Sequence, residues 1–178
     1  HPRFQFIKSG RDLMSDFNPR VKDDLKSLGL PQPDQVGFVV KDLNAAIEKY
    51  DPIFGPFSLT DYGPQKASYR GAPHSDYALK FAFGRIGDIE IELIEYVSGD
   101  TPHRDFLAKG GEGMHHLRFR VDKADPWIGK LNSIGYEVVW TDRISPEIAF
   151  AYLERAGDPL VLELLEYPSS GDPSKPMN

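Results

Sequence analysis

The 178-residue chain contains no cysteine, so disulfides and thiolate metal sites are excluded. It also lacks a basic excess: 21 Lys and Arg stand against 27 Asp and Glu, for a net charge of −6. Nucleic acid is therefore excluded as a bulk electrostatic partner. No apolar run approaches the roughly 20 residues needed to cross a bilayer, and nothing at the start resembles a signal peptide. The cytoplasm is the expected location, with no membrane partner. What remains, 40% hydrophobic and 27% charged residues, is the composition of a globular protein with one domain or two small units sharing a core.

Two short stretches are nearly the same. Residues 91–96 read IELIEY and residues 162–167 read LELLEY. Each sets a glutamate, Glu92 or Glu163, inside an apolar run with the look of a buried strand. Burying an unpaired carboxylate is costly because the charge loses its hydration. The duplication therefore needs a reason.

The surrounding order of elements is duplicated too. QVGFVV (35–40) reads as a strand, followed by a helix that begins after Asp42 as N-cap and places Leu43, Ile47 and Tyr50 on one face. PFSLTDY and YALKFAFG read as strands separated by a Gly/Pro-rich loop at 63–75, and Gly87-Asp88 turns the chain into the strand of Glu92. In the second half HLRFRV is a strand and Asp125-Pro126 opens a helix; YEVVWT, IAFAYLE and LVLELLEY follow as strands. A shift of 81 places pairs Phe38 with Phe119, Val40 with Val121, Ile47 with Ile128 and Lys49 with Lys130. A shift of 71 pairs Glu92 with Glu163 and Tyr96 with Tyr167. Matches at consistent element positions point to an internal duplication. The fold class is α+β, built of two βαβββ modules. The expected layout is a partly helical N-terminal extension (1–33), a first module (34–100), a linker helix (101–114), a second module (115–168) and a flexible tail (169–178).

Duplicated halves pack around a pseudo-twofold axis, which gathers equivalent positions. The shared first-strand position holds Gln35 and His116; the shared last-strand position holds Glu92 and Glu163. One Gln, one His and two Glu offer oxygen and nitrogen donors suited to a divalent metal, and such an ion would explain the two buried carboxylates. Alternatives stand for each residue alone. His116 could be a hydrogen-bonded core histidine, and His115 adds nothing, since strand neighbours face opposite sides. Glu92 and Glu163 could face solvent, with Glu95 and Glu166 buried instead. The coincidence of all four favours a common cavity.

Over about residues 34–168 the chain resembles the vicinal oxygen chelate superfamily, also called the glyoxalase/bleomycin-resistance/dioxygenase fold. GEGMHHLRFRVDK and IELIEYVSGDTPHRDFLAKGGEG are most like segments of the methylmalonyl-CoA epimerase family. The resemblance implies a vicinal oxygen chelate fold with metal ligands Gln35, Glu92, His116 and Glu163, and a divalent metal (Zn, Co, Ni, Mn or Mg). Gln35 stands where the epimerases usually have His, and the set Gln, Glu, His, Glu is similar to that of eukaryotic glyoxalase I. The epimerases' additional carboxylate base, on the third strand of the first module, has no counterpart; Lys80 lies nearest. Glyoxalase I's glutathione-binding arginine corresponds to Val39, and Gln35 departs from the His, His, Glu triad of the extradiol dioxygenases.

Strand alternation puts Arg118 and Arg120 on the side of His116, where they either bind an anionic substrate or pair with neighbouring carboxylates. Tyr96 and Tyr167 share the faces of Glu92 and Glu163. The expected activity is a metal-dependent isomerase or epimerase, or a glyoxalase-type lyase. It removes a proton beside a chelated carbonyl through an enolate or enediolate. Glu163 is the first candidate base and Glu92 the second. Arg118, Arg120, Tyr96, Tyr152 and Lys80 are candidate contacts to a small anionic or carbonyl-containing substrate. Two rivals stay open: a sequestering protein of the bleomycin-resistance type, with the 63–75 loop as cover, and a ring-cleaving dioxygenase. A homodimer is an expected assembly, because dimers are common in the superfamily.

Overall fold

The computed structural model of the protein describes residues 28–167. The tail at 169–178 and most of the extension at 1–33 lie outside the described residues. Eight strands and three helices follow in the order β1 (Gln35–Val40), α1 (Leu43–Phe54), β2 (Ser58–Tyr69), β3 (Ala72–Ile86), β4 (Ile89–Gly99), α2 (Pro102–Ala108), β5 (Gly113–Val121), α3 (Asp125–Asn132), β6 (Tyr136–Arg143), β7 (Ala149–Arg155) and β8 (Val161–Glu166). The two halves are each β-α-β-β-β, joined through α2. Among the described residues no helix is long and apolar enough to cross a membrane.

The strands close into one barrel in the order β1-β4-β3-β2-β6-β7-β8-β5. Within each half the first and last strands run parallel, β1 beside β4 and β5 beside β8. The halves join where equivalent strands meet antiparallel, β1 with β5 and β2 with β6. The β1–β5 register pairs Gln35 with Arg118, Val36 with Leu117 and Gly37 with His116. With equivalent residues 81 apart, that register is its own image under a twofold axis through the Val36–Leu117 pair.

One hydrophobic cluster fills the barrel and two lie outside it. Leu79, Phe81, Ile94, Trp140, Phe150, Tyr152, Val161 and Leu165 point inward. Val40, Leu43, Ile91 and Leu93 pack β1 and β4 against α1, and Phe119, Leu131, Leu153, Leu162 and Leu164 pack the second half against α3. A fully buried leucine such as Leu153 or Leu164 contributes about 1.5–3 kcal/mol.

The glutamate duplication has an outward half as well. Glu95 faces α1, where its Oε2 accepts from the Leu43 backbone N–H at 2.7 Å. Glu166 faces α3, accepting from the Ala124 N–H at 3.1 Å, from Lys123 at 2.9 Å and from Arg143 at 3.1 Å. Leu43 and Ala124 are 81 residues apart, so the two halves start their helices the same way. Free N–H groups at a helix start favour a carboxylate. In the first half, Asp42 adds the expected N-cap, accepting from the Ala45 N–H at 2.9 Å.

Residues 63–75 are not a loop. β2 and β3 continue through them as one long hairpin that turns at Arg70-Gly71, both with positive φ. The register shifts between Tyr62 and Gln65, so Gly63-Pro64 lies in a bulge. A bulge is where a strand tolerates a proline.

Candidate metal centre

Parallel pairing sets Glu92 opposite Gly37 and Glu163 opposite Arg118, while antiparallel pairing sets His116 opposite Gly37. These registers bring one residue from each of four strands to one point inside the barrel. His116 Nε2 lies 3.3 Å from Gln35 Oε1, 3.2 Å from Glu163 Oε2 and 3.4 Å from Glu92 Oε2. Gln35 and His116 have no exposed surface, and the two glutamates are buried. Gly37 is what gives the imidazole its room: a Cβ there would stand 1.9 Å from His116 Cε1.

The electrostatics are those of a cation site. Burial alone would lower the His116 pKa, but the adjoining Glu163 and Glu92 carboxylates outweigh it and hold the ring up at about 9. Burial raises the Glu92 pKa, opposed by His116. Glu92 Oε2 has no hydrogen-bond partner among the described residues. One nitrogen and three oxygens thus converge, with spacings of 3.2–3.4 Å from the nitrogen. Ligands at about 2.1 Å from a divalent ion stand at roughly those separations. The residues fit a divalent metal, and in its absence the His116 proton balances the carboxylates.

Gln35 and His116 are each aimed by a neighbour. Gln35 Nε2 donates to Glu90 Oε1 at 2.7 Å, which turns the amide oxygen toward His116. Glu90 in turn accepts from Arg118 at 3.3 Å, and Arg118 makes a two-pronged contact with Asp34 at 3.0 and 2.8 Å. His116 Nδ1 meets His115 Nδ1 at 3.2 Å. That contact corrects the expectation that His115 faces the opposite side. The β1–β5 register shifts between Gly37 and Phe38, leaving His115 as the extra residue of a bulge. The bulge turns both imidazoles into the interior, where both are buried. Burial, and next the charge of His116, lower the His115 pKa to about 3, so it accepts the Nδ1 proton of its neighbour.

The candidate substrate contacts divide. Tyr152 is fully inside, its ring 4.9 Å from that of His116; burial and the two glutamates keep its hydroxyl protonated. Arg118 is engaged by Asp34 and Glu90, the carboxylate-paired alternative, though with carboxylates other than Glu92 and Glu163. Arg120 stacks over Tyr167 at 4.6 Å and lies 3.6 Å from Asp34. Tyr96 packs against the interior cluster and donates to the Gly99 carbonyl. Lys80 is not brought to the site. It points outward with its side chain 46% exposed and pairs with Glu95 at 3.1 Å.

His103, Gly37, Asp34 and Glu90 were not singled out in the sequence. Asp34 and Glu90 carry only ordinary strand-flank signals, and Gly37 stands out only once the register is known. His103 follows Pro102 on α2 and is fully buried. A surface cavity of about 240 Å³ opens elsewhere, lined among others by Asp125, Asp142 and Arg143.

Comparison with known proteins agrees with this architecture. The signature of the glyoxalase/bleomycin resistance protein/dioxygenase superfamily matches residues 34–169. The uncharacterized protein YqjC of Bacillus subtilis is 28% identical over 86 residues, which are 48% of this chain and 54% of that protein. The match thus spans about half the length of that curated relative. A methylmalonyl-CoA epimerase in complex with methylmalonyl-CoA and NH4+ superposes with a TM-score of 0.56 at 22% identity, covering 82% of this chain and all of the other. The methylmalonyl-CoA epimerase of Mycobacterium tuberculosis superposes with a TM-score of 0.54 at 23% identity, covering 79% of this chain and 89% of the other. At these identities the likeness to solved structures is one of fold.

Proposed function

From the premise that the chain belongs to the glyoxalase/bleomycin resistance protein/dioxygenase superfamily, we propose that it is a metal-dependent isomerase or epimerase acting on a carbonyl compound. The observation that carries the reading is the convergence of Gln35, Glu92 and Glu163 on His116 Nε2 at 3.2–3.4 Å in the barrel interior. A divalent metal bound there polarises a substrate carbonyl and makes the neighbouring C–H more acidic.

The protein's own residues supply the rest. Glu163 is the base that takes the proton: its carboxylate lies 3.2 Å from His116 Nε2, and Tyr152, its partner across the β7–β8 pair, is a hydrogen-bond donor on the same side of the barrel. Glu163 also gives that proton back, to another carbon or face, while Glu92, which approaches His116 from the neighbouring half, stays a static ligand. No separate base is available from β3: its interior residues are Tyr77, Leu79, Phe81 and Phe83, and Lys80 points away. The substrate is an anionic or carbonyl-containing small molecule, with acyl thioesters the first class to test, since similar folds bind methylmalonyl-CoA.

The test is proton exchange. Protein reconstituted with Zn, Co, Ni, Mn or Mg is incubated in D₂O with 2-oxo acids, acyl thioesters and hemithioacetals. Deuterium entering the substrate C–H with the native chain and falling at least 100-fold with Glu163→Gln supports the reading. Exchange that is equal in the variant, or tight binding of a compound with no exchange, sinks it in favour of a sequestering protein. Oxygen uptake with iron(II) would point to the dioxygenase class instead.

A further inference from the structure

Beside the oxygen-rich centre lies a second group of donors with a different composition. One ring nitrogen from each of His103, His115 and His116 lies within 4.8 Å of the other two, and all three residues are buried. His103 reaches the cluster from α2, the helix between the modules. Its ring centroid is 5.0 Å from that of His115 and 6.4 Å from that of His116. Neither His103 nitrogen has a hydrogen-bond partner among the described residues, although the residue has no exposed surface. A neutral imidazole carries one donor and one acceptor, and a buried polar group without a partner calls for a missing occupant.

The aromatic neighbours do not supply one. Trp140 and Tyr152 pack edge-on to His103 at 5.3 and 5.5 Å, and the Trp140 indole N–H is itself unpartnered. Hydrogen bonding within the trio stops at the His115–His116 contact, so it leaves His103 unexplained.

We propose that His103, His115 and His116 form a second divalent-metal site, distinct from the Gln35/Glu92/His116/Glu163 centre but sharing His116 with it. Three imidazole nitrogens suit Zn, Co, Ni or Cu and disfavour Mg and Mn. Sharing is possible because the ring offers its two edges separately: Nε2 faces the carboxylates and Nδ1 faces His115. With one ion on the imidazole side, Nδ1 gives up its proton to solvent while Nε2–H stays with Glu163. With both ions bound, His116 releases both ring protons and bridges as an imidazolate. His115 faces this site only because of the β5 bulge.

Zinc stoichiometry tests this on the full chain, by elemental analysis after saturation with Zn²⁺ and desalting. His103→Leu removes both nitrogens, and His103→Phe is the second variant, keeping a ring among Trp140 and Tyr152. Two ions in the native chain, one in each His103 variant and one in Glu163→Gln support both centres. A single ion that disappears in the His103 variants and persists in Glu163→Gln supports the imidazole site and overturns the metal reading of the proposed function. A single ion that persists in the His103 variants overturns the imidazole site and leaves that reading standing. Two ions in the native chain and still two in both His103 variants also overturn it, and no ion at all overturns both.

Discussion

Gly37 and His116 are partners across the β1–β5 pair, and the His116 ring occupies the space that a side chain at position 37 would fill. Gly37→Ala is therefore expected to displace the imidazole, because the added Cβ would stand 1.9 Å from His116 Cε1 and the ring has to shift. Metal affinity should fall about 100-fold, as for a misplaced ligand, while far-UV circular dichroism keeps its native shape. Titration calorimetry with Zn²⁺ checks this; unchanged affinity would contradict the packing described.

Glu90 should matter to the metal without touching it. Glu90→Gln weakens the acceptor that holds the Gln35 amide and leaves Arg118 with Asp34 alone. About a tenfold loss of metal affinity is expected, with little change in the thermal midpoint of the metal-free chain. Equal affinity would mean that the Gln35 amide is aimed by something else.

The metal-free chain should carry a signature of the His116 proton. The folded pKa of about 9 lies above the usual 6.5, so folding binds this proton more tightly than the unfolded chain does. The stabilisation is complete below pH 6.5 and is lost as pH rises through 9. Denaturant midpoints measured from pH 6 to 10 should fall over that window, and less steeply in His116→Asn. Metal binding below pH 9 should release a proton, detectable as acidification in weak buffer.

Glu166 works in the opposite sense. Its carboxyl is held down at about 2 by Arg143, Lys123 and the Ala124 N–H, below the usual 4.5. Its contribution is complete above pH 4.5 and is lost as pH falls from 4.5 through 2. Glu166→Gln should cost about 1–3 kcal/mol at neutral pH and flatten the acid limb of the stability curve. An acid limb identical to that of the native chain would remove Glu166 from the account.

Much of the architecture was legible because it is written twice. Gln35 with His116 and Glu92 with Glu163 were found by equivalence, and the registers carry those pairs to one point. The hairpin was misread because Gly63, Pro64 and Gly71 have turn chemistry, while pairing with β3 absorbs the proline in a bulge. His115 was misassigned for the same kind of reason: alternation assumes a regular strand, and a bulge changes the face of one residue. The arginines were read from side-chain direction alone. What Arg118 binds depends on Asp34 and Glu90, which come from β1 and its approach and from β4. That Glu95 and Glu166 turn away from the centre, each to a helix start, appears only when the helices are in place.

The glutamates of β4 and β8 come in pairs three residues apart, one turned into the barrel and one turned out to a helix. Each last strand is thereby held from both sides, and the inner carboxylate inherits its position from the outer one. A change at Glu95 or Glu166 would reach the interior as a shift of the strand itself. The two six-residue stretches that spell nearly the same word thus carry two duties each, one toward the barrel and one toward a helix.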